Sequence, residues 1–192
     1  YDAIFEERAQ SGPNWQDVRR WKELIRYYRG GSIADIGCLD SQISQLIKDK
    51  PGIYFGTDMS KHAVGSMNTL HGDYQTKFLV DDIYESEFQP LLFDYVVMGE
   101  VLEHLEYPNK AVKQAFRILK PGGVLAVSVP LEEANELGAC DEDRHLWSYD
   151  TDDILDLVQP YSSRVKTKVL RSRWLPTYKY CWPTLICWAT KR

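Results

Sequence analysis

The sequence predicts an α/β fold in which a doubly wound, seven-stranded, mostly parallel sheet ends in an antiparallel hairpin. Two observations predict it. Short apolar segments, apolar on both faces, alternate with stretches whose apolar residues recur every three or four positions. The last two apolar segments are separated by too few residues for a crossover helix, so they are expected to pair antiparallel. The chain has 192 residues, which suits the single domain, residues 1–192, that we expect.

Residues 1–31 are predicted to form an N-terminal helical cap or lid. Apolar side chains recur at three- and four-residue spacing from Trp15 to Tyr28, which indicates an amphipathic helix that Asn14 can cap. Gly30 and the glycine after it end the pattern. Two interpretations stay open: the helix covers the sheet, or residues 1–20 close over a ligand.

The remaining elements follow in regular order. The predicted parallel strands are residues 33–36, 53–57, 77–80, 93–98 and 124–129. The predicted helices between them are residues 42–49, 60–70, 101–105 and 109–119. Lys120 to Gly123 is expected to form the turn before the fifth strand. A helix at residues 151–158 and a hairpin of residues 164–172 and 184–190 complete the chain.

The composition of the chain argues against several classes of protein. The net charge is −5, which argues against nonspecific nucleic-acid binding, because that depends on Lys and Arg neutralising phosphates. No apolar run reaches the length of about 18 residues that spans a membrane, and the N-terminus lacks a signal-peptide pattern. The four cysteines form no C-x-x-C pair and no common zinc spacing. We therefore expect reduced thiols, a cytoplasmic protein and no metal site.

Acidic residues mark the carboxyl ends of four predicted strands, at Asp35, Asp58, Asp82 and Glu100. The carboxyl ends of parallel strands form one edge of the sheet, where ligands bind. Asp58 follows Gly37 by about 20 residues, the separation at which an acid accepts hydrogen bonds from a ribose diol. The first turn has a single glycine rather than G-x-G-x-x-G, so a ribose-bearing cofactor without a pyrophosphate is favoured over a nicotinamide dinucleotide.

Five segments of the chain resemble the class I S-adenosylmethionine-dependent methyltransferases, and most closely the small-molecule type. They are Ala-Asp-Ile-Gly-Cys, Tyr-Phe-Gly-Thr-Asp, Leu-Val-Asp-Asp-Ile, Phe-Asp-Tyr-Val-Val-Met-Gly-Glu-Val-Leu-Glu-His-Leu and Ile-Leu-Lys-Pro-Gly-Gly-Val-Leu. The resemblance covers residues 32 to about 160. It implies a Rossmann-like fold, methyltransferase activity of the EC 2.1.1 type, S-adenosylmethionine as cofactor and S-adenosylhomocysteine as product.

The resemblance also implies a role for each matching residue. It places Asp35, Gly37 and Cys38 at the methionine end of the cofactor, and Gly99 and Glu100 near the sulfonium. It places Asp58 at the ribose hydroxyls. At the adenine, it places Met59 on the ring, Asp82 at the amino group and the backbone of Ile83 at the ring. Asp81 is an alternative to Asp82. The chain departs from the family at Leu39 and Ser41, where glycines are usual.

The acceptor side is less defined by the sequence. His145 and His104 are the candidate catalytic bases, and either can instead have a structural role. Three interpretations of the acid-rich segment from Glu132 to Asp143 stay open. It forms a solvated surface, it contacts a cationic acceptor or, as the least favoured of the three, it binds a divalent metal.

We expect methyl transfer to a hydroxyl or amine of a small polar metabolite, with a sugar or glycan precursor as one possibility, by a monomer or homodimer. The alternatives are an RNA or protein methyltransferase and a non-catalytic module that binds S-adenosylmethionine. The acceptor's identity is not determined by the sequence.

Overall fold

The computed structural model describes residues 15–39, 42–131, 145–171 and 183–192. Its strands are β1 (Gly31–Ile36), β2 (Gly52–Asp58), β3 (Thr76–Val80), β4 (Phe93–Gly99), β5 (Leu119–Pro130), β6 (Ser162–Leu170) and β7 (Thr184–Lys191). They form one sheet in the order β3-β2-β1-β4-β5-β7-β6. The first five strands are parallel, whereas β7 pairs antiparallel with both β5 and β6. The predicted fold class is confirmed.

Helices cover both faces of this sheet. They are α1 (Trp15–Leu24), α2 (Ile43–Ile47), α3 (Lys61–His71), α4 (Pro108–Ile118) and α5 (Thr151–Val158), with 3₁₀ turns at Leu102–His104 and Gln159–Tyr161. Helices α1, α2 and α3 contribute to one buried apolar cluster, and α4 and α5 contribute to the other. Successive residues of β4 alternate between the clusters: Val96 and Met98 face α4, and Tyr95 and Val97 face α1. A strand buried on both faces is apolar throughout, which explains the unbroken apolar run in the sequence.

Several predicted helix boundaries agree with local capping chemistry. Ser60 accepts a hydrogen bond from the Ala63 backbone at 3.0 Å and so begins α3 as expected. Asp150 and Asp153 exchange reciprocal hydrogen bonds that begin α5. Among the described residues, no helix is long and apolar enough to cross a lipid bilayer.

Other boundaries differ from the prediction. Helix α1 ends at Leu24 rather than near Tyr28, and the chain continues in turns to Gly31. Residues 101–105 form only a short 3₁₀ turn, and Pro108 begins α4 because its missing N–H is tolerated in a first turn. Strand β5 already begins at Leu119, which pairs with Phe93, and the pairing register shifts between Phe93 and Tyr95. The expected turn at residues 120–123 is therefore an irregular part of that strand.

Some predictions fall on residues that the structure does not describe. These are the Asn14 cap and most of the lid, Ser41, the acid-rich segment up to residue 144, and most of the connection between β6 and β7.

Candidate cofactor and acceptor site

The strand order brings the predicted site residues together at one edge. From β1 the chain proceeds outward to β2 and β3, then crosses back to β4 on the other side of β1. This reversal leaves a crevice at the carboxyl ends of β1 and β4, the usual ligand position in an open parallel sheet. The segments that follow β3, β2, β1 and β4 are neighbours along this edge, so the four acid-bearing strand ends lie in one row.

The turn after β1 is tight and keeps its side chains inward. Gly37 has φ +67°, and a Cβ atom there would lie 2.7 Å from Val101 Cγ2, so only glycine fits. Cys38 is buried, and its backbone N–H donates to the Thr57 carbonyl at 2.8 Å. Asp35 is also buried and accepts a hydrogen bond from the Tyr54 hydroxyl at 2.8 Å. A ligand at this turn would therefore meet its backbone rather than the carboxylate of Asp35.

Asp58, at the end of β2, connects the first turn to the start of α3. One carboxylate oxygen accepts the backbone N–H of Leu39 at 3.0 Å, and the other accepts that of Ser60 at 2.9 Å. Each oxygen of an ionised carboxylate accepts two hydrogen bonds, so one position on each remains for a ribose hydroxyl. Met59, the next residue, is 68% exposed and so is open to contact with a ligand. A carboxylate and an exposed thioether thus lie next to each other at the end of β2.

The acids after β3 differ from each other in their surroundings. Asp82 is partly exposed, and its carboxylate accepts the backbone N–H of Tyr84 at 2.9 Å. Asp81 has a buried oxygen without a hydrogen-bond partner, and burial raises the pKa of this carboxyl above its ordinary value. Ile83 is buried in the core, so only its backbone can meet a ligand. Asp82 remains the more accessible candidate for the adenine amino group.

Glu100, after β4, is held from both sides in an uncommon backbone conformation. Its φ is +56°, which costs a non-glycine residue of the order of 1 kcal/mol. One carboxylate oxygen accepts from Ser128 Oγ at 2.9 Å, and the other lies 3.8 Å from Arg20 Nη1 of α1. A Cβ atom on Gly99 would lie 3.0 Å from Leu24 Cδ1. Helix α1 thus packs directly over the end of β4, as the sheet-covering interpretation requires.

A second cluster of side chains begins three residues later. Glu103, His104 and His145 each place one potential metal-ligand atom within 4.8 Å of the other two. The two imidazole rings meet edge to face, with their centroids 4.9 Å apart. The Glu103 carbonyl accepts the backbone N–H groups of Leu146 at 2.7 Å and Trp147 at 3.2 Å. These hydrogen bonds dock the segment that begins at His145 onto the Leu102–His104 turn.

Glu103 has an unusual environment for a carboxylate. It is 1% exposed, and neither carboxylate oxygen has a hydrogen-bond partner within the described parts of the chain. Burial, reinforced by the nearby charge of Glu100, raises the pKa of Glu103 well above its ordinary value, although its own backbone N–H and Arg20 act in the opposite direction. A buried carboxylate without a partner costs free energy, so its retention calls for an explanation.

The structure brings together every predicted site residue that it describes, and it adds several that the sequence did not single out. Glu103 lies in the quoted Glu-Val-Leu-Glu-His segment, three residues after Glu100, a spacing that would place both side chains on one side of the helix predicted for residues 101–105. That spacing was the available signal. Ser128, Arg20 and Tyr54 contact site residues only through the tertiary fold.

Residues 34–127 match the family model described as a methyltransferase domain. The chain belongs to the class I S-adenosylmethionine-dependent methyltransferases. The matched range includes the strand-end acids and the Glu103–His104 segment, so the family assignment predicted from the sequence is confirmed.

Known methyltransferases match the chain in sequence and in structure. The ubiquinone biosynthesis O-methyltransferase of Pseudomonas fluorescens (strain SBW25) is 28% identical over 97 residues, which are 49% of this chain and 42% of that protein. The chain thus spans less than half the length of this curated relative.

Two solved structures share the fold. A Haloferax volcanii methyltransferase, in complex with the Trm112 methyltransferase activator, matches with a TM-score of 0.82 at 18% identity, over 99% of this chain and 96% of that chain. Phosphoethanolamine N-methyltransferase 2 of Haemonchus contortus, in complex with S-adenosyl-L-methionine, matches with a TM-score of 0.73 at 16% identity, over 93% of this chain and 53% of that chain. At these identities the matches establish the fold alone.

Proposed function

We propose that the protein transfers a methyl group from S-adenosylmethionine to a hydroxyl or amine of a small polar molecule. The observation that carries this proposal is Asp58, which stands beside the first turn at the crevice and holds that turn by the Leu39 N–H. Within the described residues each of its two oxygens accepts one backbone hydrogen bond, and a carboxylate oxygen can accept a second.

Residues at different strand ends are proposed to bind different parts of the cofactor. Asp58 accepts from the ribose hydroxyls, and Met59 covers the adenine ring. Asp82 accepts from the adenine amino group, with the backbone of Ile83 along the ring edge. The methionine end meets the turn that contains Asp35, Gly37 and Cys38, chiefly through its backbone, and Gly99 and Glu100 lie near the sulfur. When bound, S-adenosylmethionine supplies a methyl group on a positively charged sulfur, which makes that methyl electrophilic.

The acceptor side is proposed to lie at His145 and His104, the predicted catalytic residues. Glu100 orders the backbone between the cofactor edge and this pair, because its side chain is held by Ser128 and lies near Arg20. An imidazole within hydrogen-bond reach of a hydroxyl can accept its proton as the methyl group arrives. Exclusion of water by α1, which packs on the end of β4, would favour transfer to the acceptor over hydrolysis.

A small acceptor is favoured over RNA or protein by the charge of this region. The carboxylate of Glu103 lies beside the histidines, and the charge of Glu100 acts on Glu103, whereas a polyanion requires a basic surface. The named activity of the Pseudomonas relative, an O-methyltransferase of ubiquinone biosynthesis, supports oxygen as the acceptor atom. The activator bound to the Haloferax methyltransferase leaves an additional protein partner as a second possibility.

Calorimetric titration of S-adenosylhomocysteine tests the proposed cofactor site. We expect stoichiometric binding by the wild type and a loss of about 10- to 100-fold in affinity for Asp58→Ala, because hydrogen bonds to a charged group contribute about 1.5–3 kcal/mol. Asp58→Asn, which keeps one acceptor oxygen, should fall between them.

The matched control is Asp94→Ala, which removes the same side chain at the opposite edge of the sheet. It should lower stability and leave the affinity unchanged. Absence of binding to the wild type would reject the proposed function, and equal affinity for wild type and Asp58→Ala would reject the ribose assignment.

A further inference from the structure

We propose that Glu103, His104 and His145 bind a divalent transition-metal cation on the acceptor side of the crevice, and that its open coordination positions take oxygen atoms of the acceptor. The sequence analysis predicted no metal site, because the cysteines show no common zinc spacing and Glu103 was not among the candidate ligands. The binding of the cation stands on the cluster itself. Only its acceptor role rests on the function proposed above.

The geometry of the three ligand atoms suits one ion. Zinc–nitrogen and zinc–oxygen bonds are about 2.0–2.2 Å long, so two ligands of one ion are separated by no more than about 4.4 Å. The three atoms here are already within 4.8 Å of one another. Movements of about 1 Å or less, within the range of small side-chain rotations, bring them onto a common centre.

Glu103 supplies an independent observation that points to a ligand. A buried carboxylate with no hydrogen-bond partner among the described residues is a costly arrangement in a folded protein. Buried charges are normally paired or coordinate a metal. Its neighbours in the cluster are imidazoles, which are the commonest metal ligands in proteins. A divalent cation between these groups would satisfy the carboxylate that the described residues leave without a partner.

The cluster is positioned by backbone structure rather than by flexible side chains alone. His104 lies in the 3₁₀ turn that follows β4, and its N–H donates to the Val101 carbonyl at 3.1 Å. His145 begins a segment anchored to the same turn through the Glu103 and Leu102 carbonyls, the latter accepting from the Tyr149 hydroxyl at 3.2 Å. Two separate parts of the chain are therefore held in register at the site, as a preorganised metal centre requires.

The ligand set indicates the class of ion and leaves room for an acceptor. Two imidazoles and one carboxylate occur in catalytic zinc sites and in non-haem iron sites, both of which keep open positions. Imidazole favours zinc, iron, nickel and copper over magnesium and calcium, which prefer oxygen ligands. Both histidines are partly exposed, so open positions face solvent rather than the core. A hydroxyl bound to the ion would lose its proton to solvent water more readily, and His104 and His145 would then act as metal ligands instead of as the bases proposed above.

Metal binding is tested with Zn²⁺ and Co²⁺ on the full chain after treatment with a chelator. We expect one Zn²⁺ per protein by calorimetry, and at least a 10-fold weaker affinity for both Glu103→Gln and His145→Asn. His62→Asn, on the exposed side of α3, is the matched histidine control and should bind like the wild type. Circular dichroism verifies that each variant is folded.

The spectrum of the Co²⁺ complex identifies the ligands. Nitrogen and oxygen ligands give only weak ligand-field bands, and these should disappear in Glu103→Gln and His145→Asn. A thiolate-to-cobalt charge-transfer band would place the ion on a cysteine and overturn the proposal, as would a wild type that binds no stoichiometric ion or variants that bind it unchanged.

The metal site and the methyltransferase function can fail separately. Titration of S-adenosylhomocysteine into the metal-free protein tests the cofactor site by itself. Stoichiometric metal binding without any binding of S-adenosylhomocysteine would keep the cation site and reject its acceptor role. Binding of the cofactor product without any ion would keep the methyltransferase function and reject the metal.

Discussion

At the amino-end edge of the parallel sheet, one oxygen of Asp94 accepts hydrogen bonds from Ser32 N–H at 2.8 Å, Ser32 Oγ at 3.0 Å and Lys120 Nζ at 2.8 Å. At the carboxyl-end edge, Glu103 is buried with no hydrogen-bond partner among the described residues, and Met59 is exposed. The first edge satisfies its charge within the protein. The second buries one carboxylate, that of Glu103, without a partner among the described residues, and this difference distinguishes a structural edge from a candidate binding edge.

The two edges of the sheet also differ in how many residues other than glycine have a positive φ, with one exception. Leu39 and Glu100, both at the carboxyl-end edge, have positive φ values of +36° and +56° without being glycine. Strain of this kind concentrates at functional sites. Leu91, at the amino-end edge, also has φ +58°, so positive φ alone does not identify the site. The combination of strain with a buried carboxylate, that of Glu103, that has no partner among the described residues does.

The largest expected effect is on stability. A substitution at the carboxyl-end edge should raise the free energy of unfolding, and one at the amino-end edge should lower it. Glu103→Met, measured without added metal, should raise the free energy of unfolding by about 1–3 kcal/mol, because it removes a buried carboxylate that has no partner in the described part of the chain. Asp94→Ala should lower it by about 1–2 kcal/mol, because it leaves the Ser32 N–H and Lys120 without their acceptor. Urea unfolding at pH 7 measures both, and destabilisation by Glu103→Met would contradict the contrast.

A smaller effect is expected on cofactor affinity from the two positive-φ leucines. Leu39→Gly should tighten the binding of S-adenosylhomocysteine about fivefold, or about 1 kcal/mol, because glycine relieves strain and lets the backbone approach the ligand. Leu91→Gly makes the same chemical change at the other edge and should leave the affinity unchanged. Calorimetry on both variants decides this: equal responses would mean that Leu39 does not limit the cofactor site.

The smallest expected effect is a pH dependence at Asp94. Partial burial raises its pKa, but hydrogen bonds from Lys120 and Ser32 outweigh burial, and the net pKa is lower than usual. A carboxyl with a depressed folded pKa stabilises the protein above its unfolded pKa of about 3.9, and this contribution is lost as the pH falls through the folded value.

The side chain of Asp94 is 40% exposed, so solvent screening limits the contribution of its charge to about 0.5–1 kcal/mol. The stability difference between wild type and Asp94→Asn should therefore shrink when urea unfolding is repeated from pH 7 towards acid. A difference that stays constant down to the lowest pH at which both proteins fold would show that Asp94 acts through neutral hydrogen bonding.

Much of the fold was predictable because it depends on local periodicity. Strands buried on both faces, such as β4, are apolar throughout, and α3 begins at a serine whose side chain caps it. The predictions failed where tertiary contacts override local preference. The Lys-Pro-Gly-Gly segment that follows Leu119 has the composition of a turn, yet pairing between Phe93 and Leu119 draws its start into β5.

The sequence by itself determined the order of the elements, the family and the row of acids at the strand ends, because periodicity and the spacing of motifs are properties of the chain alone. Only the tertiary structure decided which of those acids are satisfied. It brought the buried carboxylate of Asp35 into a hydrogen bond with the Tyr54 hydroxyl. It also buried Glu103 next to His104 and to His145, which follows them by about 40 residues in the sequence. Whether a carboxylate has a partner depends on which segments meet in space, and no local pattern contains that information.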